Sequence, residues 1–257
     1  MQIATWNVNS LKVRLPQVIE WLKTSNCDIL ALQEIKQDNE NFPLATFNDL
    51  GYYCAFNGQK TYNGVAIISK YPIDAIVYDI PGYDDIQKRV ISGTICGIRI
   101  MCAYVVNGES VGSEKYNYKL TWLKELHNYV ATGLARYPHF ILLGDFNIAP
   151  QDIDVYDPLA FAGSILCSDP ERQSWGQLLQ LGLYDSFRLF NQEPLQYSWW
   201  DYRNFAFKRK LGLRIDHILI SNSLKSQVVG CAIDILPRKN ERPSDHTPVI
   251  LTLSDKY

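Results

Sequence analysis

Short apolar runs alternate with helix-like stretches along the whole chain. IATWNV (3–8), DILALQ (28–33), GVAIISK (64–70), RIMCAYVV (99–106), FILLGD (140–145), RIDHILIS (214–221) and VILTL (249–253) are rich in Val, Ile and aromatic residues and end at turn residues. That pattern predicts strands. Residues 10–24 place Leu11, Leu15, Val18, Ile19 and Leu22 on one stripe, and 115–135 do the same with Tyr118, Trp122, Leu126 and Tyr129. Positions three and four apart share a helix face, so both stretches predict amphipathic helices. A third helix is expected from Asp169, read as its N-cap, with Pro170 in the first turn and Gly182 as its stop. Alternating and continuous apolar strands mixed with helices predict an α/β fold with sheets covered by helices. No repeat, low-complexity segment or linker interrupts residues 1–257, which read as a single domain.

Composition changes this picture little. The 257 residues are 47% hydrophobic and 20% charged, and a chain of that length buries roughly three quarters of its unfolded surface without staples. The net charge of −2 excludes a globally basic nucleic-acid binder. It leaves two local basic runs, FKRKLGLR (207–214) and PRKNER (237–242), each either a solvated loop or part of a binding face. The six cysteines (Cys27, Cys54, Cys96, Cys102, Cys167 and Cys231) form no CxxC pair and no zinc-ligand spacing. MQIATWNVNS has no signal-peptide pattern, and no apolar stretch reaches the ~18 residues of a membrane span. A reducing, cytosolic setting without membrane attachment is expected.

The chemistry concentrates where strands end. Asn7 and Asn9 follow the first apolar run, Glu34 ends LALQE, and Asp145 and Asn147 end ILLGDFN. Asp216 lies inside LRIDHILI, and Asp245 and His246 precede the last run. A buried, unpaired carboxylate is very costly, so such groups are paired, metal-bound or solvent-reaching. A single Asp of this kind is ordinarily a turn or a cap, but five strand ends offering Asn, Glu and Asp with one His form an oxygen-rich set. That set suits Mg²⁺, or Mn²⁺, better than zinc. Asp145 and Asn147, two apart, face the same way in extended chain. Adjacent Asp245 and His246 need a turn to act together, and Pro243, Ser244 and Pro248 supply one.

NVNSL (7–11), LALQE (30–34), GVAIISK (64–70), GDFN (144–147), LRIDHIL (213–219) and SDHTPV (244–249), with KYNYKLTWL (115–123) and SWWDYR (198–203), resemble the exonuclease III family of DNA-repair nucleases. This family belongs to the endonuclease/exonuclease/phosphatase superfamily. The resemblance implies a four-layer sandwich of two packed mixed sheets flanked by helices. It implies a Mg²⁺-dependent phosphodiesterase acting on double-stranded DNA at abasic sites and blocked or recessed 3′ ends, as a monomer in the bacterial cytosol, associated with the nucleoid. By the same resemblance Glu34 is the principal metal ligand with Asn7 beside it. Asp145, Asn147, Asp245 and His246 complete the metal-side set, and Tyr104, Asp145, Asn147, Asp216 and His246 form the catalytic set. Trp199, Leu213 and Ile215 line an abasic pocket, against the alternative that they are ordinary core. Arg89, Asn107, Lys115, Lys119, Arg203 and Lys208, with Arg209 and Lys210 in the basic run, are expected along the DNA. Asn9-Ser10 stands where some relatives carry Asp-Gly. Two other readings are another phosphoesterase of the superfamily and a DNA-binding module without catalysis.

The roles of Asp145 and His246 follow from elementary acid–base chemistry. Histidine ordinarily titrates near ~6.5, and a carboxylate partner raises it by roughly 1–3 units. If Asp216 does so, His246 is protonated at neutral pH, a good donor to a phosphate oxygen and a poor base. Asp145 is then the base, with Asn147 orienting the water; the reverse assignment of Asp145 and His246 stays open at the level of sequence.

Overall fold

The computed structural model describes residues 1–254. One six-stranded sheet runs, from edge to edge, β13 (Val228–Ile233), β14 (Val249–Leu253), β1 (Gln2–Asn7), β2 (Ile29–Gln33), β4 (Val65–Ser69) and β3 (Tyr53–Asn57). The second runs β5 (Asp74–Tyr78), β6 (Val90–Ile95), β7 (Ile98–Tyr104), β8 (Phe140–Asp145), β12 (Asp216–Ser221) and β9 (Leu183–Asp185). A short ribbon pairs β10 (Trp199–Trp200) with β11 (Gly212–Leu213). The helices are α1 (Leu11–Ser25), α2 (Leu44–Asp49), α3 (Glu114–Arg136), α4 (Pro158–Phe161) and α5 (Asp169–Gln180).

Successive strand side chains point to opposite faces, and here both faces are covered. Ile3, Ile29 and Ile67 of the first sheet meet Ile100, Ile141 and Ile218 of the second in one buried core. The alternate residues Ala4, Trp6, Leu30 and Leu32 pack under Leu11, Val18 and Leu22 of α1. On the far side, Met101, Ala103, Leu142 and Leu219 pack under Trp122, Leu126 and Val130 of α3 and Trp175 and Leu178 of α5. The result is the expected four-layer α/β sandwich. Double burial also explains why ILALQ and FILLGD read as continuous apolar runs.

All seven expected strands are present with small shifts at their ends, except that RIDHILIS is interrupted: Arg214 and Ile215 lie between β11 and β12. The α5 cap is corrected. Ser168, not Asp169, is the N-cap, and its backbone N–H donates to Glu171 Oε2 at 3.0 Å. This is the Ser-x-x-Glu capping box, which satisfies donors that the first helical turn leaves open. Among the described residues, no helix is long and apolar enough to cross a membrane.

Strand order sets the position of the site. β1 runs parallel to β2, and β7 parallel to β8, so Asn7, Glu34, Tyr104 and Asp145 all lie at the same type of strand end. β12 enters antiparallel to β8 with Asp216 opposite Asp145. The register thus places Tyr104, Asp145 and Asp216 side by side across three strands.

Candidate active site

The two sheets are joined at this end by hydrogen bonds between side chains. Asn7 Nδ2 donates to Glu34 Oε1 at 2.8 Å and to Asp145 Oδ2 at 2.9 Å, linking the first sheet to the second. Glu34, Asp145 and His246 bring one ligand atom each to within 4.8 Å of one another. Asp245 falls outside that set. Its Oδ2 accepts from Trp199 Nε1 at 3.0 Å and its Oδ1 from Asn9 Nδ2 at 3.0 Å.

The turn between Pro243 and Pro248 is organised by Ser244. Its hydroxyl donates to the Asn7 carbonyl at 2.7 Å and accepts from the His246 N–H at 3.2 Å. Asp245 and His246 consequently diverge, the first toward Trp199 and the second into the site. His246 Nδ1 meets Asp216 Oδ2 at 2.9 Å, and Nε2 stands 3.7 Å from Asp145 Oδ2. Burial works against charge on the ring, but Asp216, followed by Asp145, outweighs it and pushes His246 up to about 10. The ring is therefore an imidazolium at neutral pH, with Nε2–H free to donate.

Asp145 holds its proton more tightly than an ordinary aspartate. Burial raises its proton affinity, and His246 only partly offsets this. Its two oxygens accept from Asn7, from the Asn147 N–H at 2.9 Å and from Asn147 Nδ2 at 3.3 Å. The Asn147 amide is itself committed, donating to Val105 O at 3.0 Å and accepting from Asn107 Nδ2 at 3.0 Å. Asn147 thus holds the Asp145 rotamer, which refines its expected role of orienting the water.

Glu34 is held ionised. Burial alone raises it, but Lys36 and Asn7 more than compensate and bring its carboxyl below the ordinary range. Lys36 Nζ lies 2.9 Å from Glu34 Oε2 and 2.6 Å from Asn9 Oδ1, a contact the sequence reading missed. Two carboxylates beside a protonated ring that has no lone pair to offer form an oxygen donor set that fits a hard divalent ion and not zinc. Tyr104 is buried beside Glu34, and burial followed by that carboxylate holds its phenol well above the usual range. It therefore stays protonated at neutral pH. The Arg89 guanidinium stacks over the Tyr104 ring at 4.6 Å and donates to the Tyr104 carbonyl at 3.1 Å.

The expected DNA contacts lie in different environments. Lys115, Arg203, Lys208, Arg209 and Lys210 are exposed, with Lys115 facing Glu109 at 3.4 Å and Arg203 paired to Asp201. Asn107 is exposed and bonded to Asn147. Arg89 is buried against Tyr104. Lys119 is a correction: its side chain is wholly buried and its ammonium is used up inside the protein, so no phosphate reaches it. Leu213 and Ile215 are buried with Ala149, Val155, Leu166 and Cys167, and Trp199 sits half-buried at the edge of that cluster. Lys36 was missed, although its place two residues after Glu34 in LQEIK carried a signal in its charge and spacing; Ser244, expected in the turn, organises it.

A two-sheet α/β sandwich with acidic side chains gathered at the strand ends is the frame of a phosphoesterase. Residues 4–246 match the endonuclease/exonuclease/phosphatase family, and the chain belongs to it. Exodeoxyribonuclease III of Haemophilus influenzae is 35% identical over 97% of this chain and 98% of its own. The 3′ phosphatase NExo from Neisseria, solved with a product DNA hairpin, is 47% identical with a TM-score of 0.98, covering 99% of each chain. An AP endonuclease from Archaeoglobus fulgidus is 38% identical with a TM-score of 0.95, covering 98% of this chain and 99% of that one.

Proposed function

We propose that this protein is an exonuclease III-type DNA-repair hydrolase. It hydrolyses phosphodiesters of double-stranded DNA, incising at abasic sites and removing nucleotides or blocking groups from 3′ ends. The observation that carries this reading is the convergence of Glu34, Asp145 and His246, with Asp216 behind the ring. The named activities of the similar proteins, exodeoxyribonuclease, 3′ phosphatase and AP endonuclease, support the same substrate class.

Phosphodiester hydrolysis needs an aligned water, charge compensation on the phosphoryl oxygens and help for the leaving group. Glu34 and Asp145, with Asn7 spanning them, would hold Mg²⁺ or Mn²⁺, which supplies charge neutralisation at the phosphoryl and leaving oxygens. Asp145, aimed by its bonds from Asn7 and Asn147, accepts the water's proton at a carboxylate oxygen. Asn147 keeps that carboxylate in place. His246, protonated and oriented by Asp216, donates Nε2–H to a phosphoryl oxygen, and Tyr104 adds a neutral donor from the next strand. Trp199 at the edge of the Leu213–Ile215 cluster offers an apolar seat for a sugar that lacks its base. A single folded unit acting as a monomer suffices for this chemistry.

The test uses defined duplexes carrying an abasic site, a recessed 3′ end or a 3′-phosphate, each with Mg²⁺, Mn²⁺ or EDTA. All three substrates should be cleaved with metal and none with EDTA. Release of phosphate from inositol phosphates, with every duplex left intact, would place the chain in another branch of the superfamily.

A further inference from the structure

Lys119 lies on α3 and faces inward, where a fully buried ammonium is expensive. Its Nζ donates to Asn107 O at 3.0 Å, to Asn147 O at 2.7 Å and to the Glu171 carboxylate. Glu171 is equally buried, and also accepts from Leu166 N at 3.1 Å and Ser168 N at 3.0 Å. Three segments therefore meet at one cation: the loop after β7, the loop after β8 and the start of α5. Two of the acceptors are backbone carbonyls outside any helix or strand ladder. Buried carbonyls of this kind must find a donor.

Asn147 gives this arrangement its consequence. Its φ is +48°, in the left-handed region that a non-glycine residue enters at a cost. Lys119 bonds its carbonyl, while Asn107 bonds its side-chain oxygen. The stem of Lys119 also packs on Gly108, where an added Cβ would approach Lys119 Cδ to 3.0 Å. On the other side, the Leu166 carbonyl accepts from Ala149 N at 2.8 Å, and both residues belong to the cluster with Leu213 and Ile215. One ammonium thus reaches the support of Asp145 directly and the apolar cluster through Glu171.

We propose that Lys119 is a positioning residue for phosphodiester cleavage, its ammonium locking the Asn147 backbone so that Asp145 keeps its alignment. The inference rests on the nuclease reading given above. Stability alone does not call for an ion pair here. Beyond Lys119 the inward face of α3 is apolar, with Trp122, Leu126 and Val130, and buried ion pairs are often replaceable by packed apolar groups without loss. What an apolar side chain cannot reproduce is donation to the Asn107 and Asn147 carbonyls.

The experiment compares the full-length Lys119→Met, Glu171→Gln and Lys119→Met/Glu171→Gln variants by urea unfolding and by steady-state cleavage of the abasic and 3′-phosphate duplexes. Lys119→Met strands a buried carboxylate and lowers both the urea midpoint and kcat. Glu171→Gln keeps the ammonium and both carbonyl bonds, so the midpoint falls while kcat stays within about threefold of wild type. The double variant recovers most of the lost midpoint yet keeps kcat down by about tenfold or more, with KM nearly unchanged, the pattern of an interaction that acts on the transition state. Recovery of kcat together with the midpoint in the double variant overturns the proposal, because Lys119 then only balances Glu171. A rise in KM alone overturns it in favour of a DNA contact. Wild-type protein inactive on every duplex overturns the nuclease reading as well, an outcome distinct from either.

Discussion

His217 follows Asp216 on β12 and points to the opposite face, where its environment dictates a single protonation state. The ring lies between Trp175 at 4.4 Å and Phe146 at 5.4 Å between centroids. Nε2 is 2.9 Å from the Ile148 carbonyl, which can only accept, and Nδ1 is 2.9 Å from Arg214 Nη1, which can only donate. Only the neutral ring protonated on Nε2 satisfies both. Protonation of Nδ1 would set two donors against each other beside the Arg214 charge. Burial, reinforced by Arg214, accordingly pulls His217 down to about 4.

The unfolded chain protonates this histidine near ~6.5, so between that value and about 4 the unfolded state binds more protons. Stability is fully present above the unfolded value and falls as the pH drops. Linkage gives a loss of about 2 to 3 kcal/mol from His217 as the pH falls from the unfolded toward the folded value. The assay is urea unfolding of wild type and His217→Gln from pH 7.5 to 4.5, with titration of the histidine Cε1–H resonances by NMR. Glutamine offers one donor and one acceptor but does not titrate. The variant should therefore lose less stability over that range by the stated amount, and one of the four histidine resonances should titrate near 4. Equal pH slopes for the two proteins, or a His217 resonance titrating near 6.5, would refute the reasoning.

Three further outcomes are expected. Asp216→Asn should lower the titration of His246 in metal-free protein from its raised value near 10, since the first carboxylate opposing burial is gone; an unmoved resonance would transfer the effect to Asp145. Trp199→Ala should reduce abasic incision by at least roughly tenfold, in the range of a lost apolar pocket contact. Its melting temperature should move by only about 2–4 °C per kcal/mol lost, and a proportionate loss of fold and activity would remove the pocket reading. Lys208→Ala should flatten the log–log dependence of duplex affinity on salt by about 0.9, as for one phosphate contact, and an unchanged slope would take Lys208 off the DNA path.

Much of this arrangement was legible in the sequence because two-sided burial leaves long apolar runs, and the polar residues that end them stand out. Asn7, Glu34, Asp145, Asp216 and His246 were visible in that way and do converge. The strands that escaped notice have weaker signals. Most residues of β5 and β13 are exposed or half-buried, and β6 carries Ser92, Gly93 and Thr94 in succession. Lys119 was misplaced for a physical reason: a lysine in a helix reads as solvated unless its partner is known, and Glu171 is 52 residues away. The divergence of Asp245 from His246 was equally invisible, because Ser244 sets it through a bond to Asn7, 237 residues earlier.

β14 sits between β13 and β1, and the turn that precedes it carries His246. On the ribosome, β1 has to wait for a neighbour made some 240 residues later. Until then one edge of a strand at the middle of the finished sheet is open to unwanted pairing, and the cleft lacks His246. A chain ending before Pro243 would have neither β14 to fill the gap between β13 and β1 nor the His246 side chain. Translation order thus delays assembly of the site until the turn before β14 has been made.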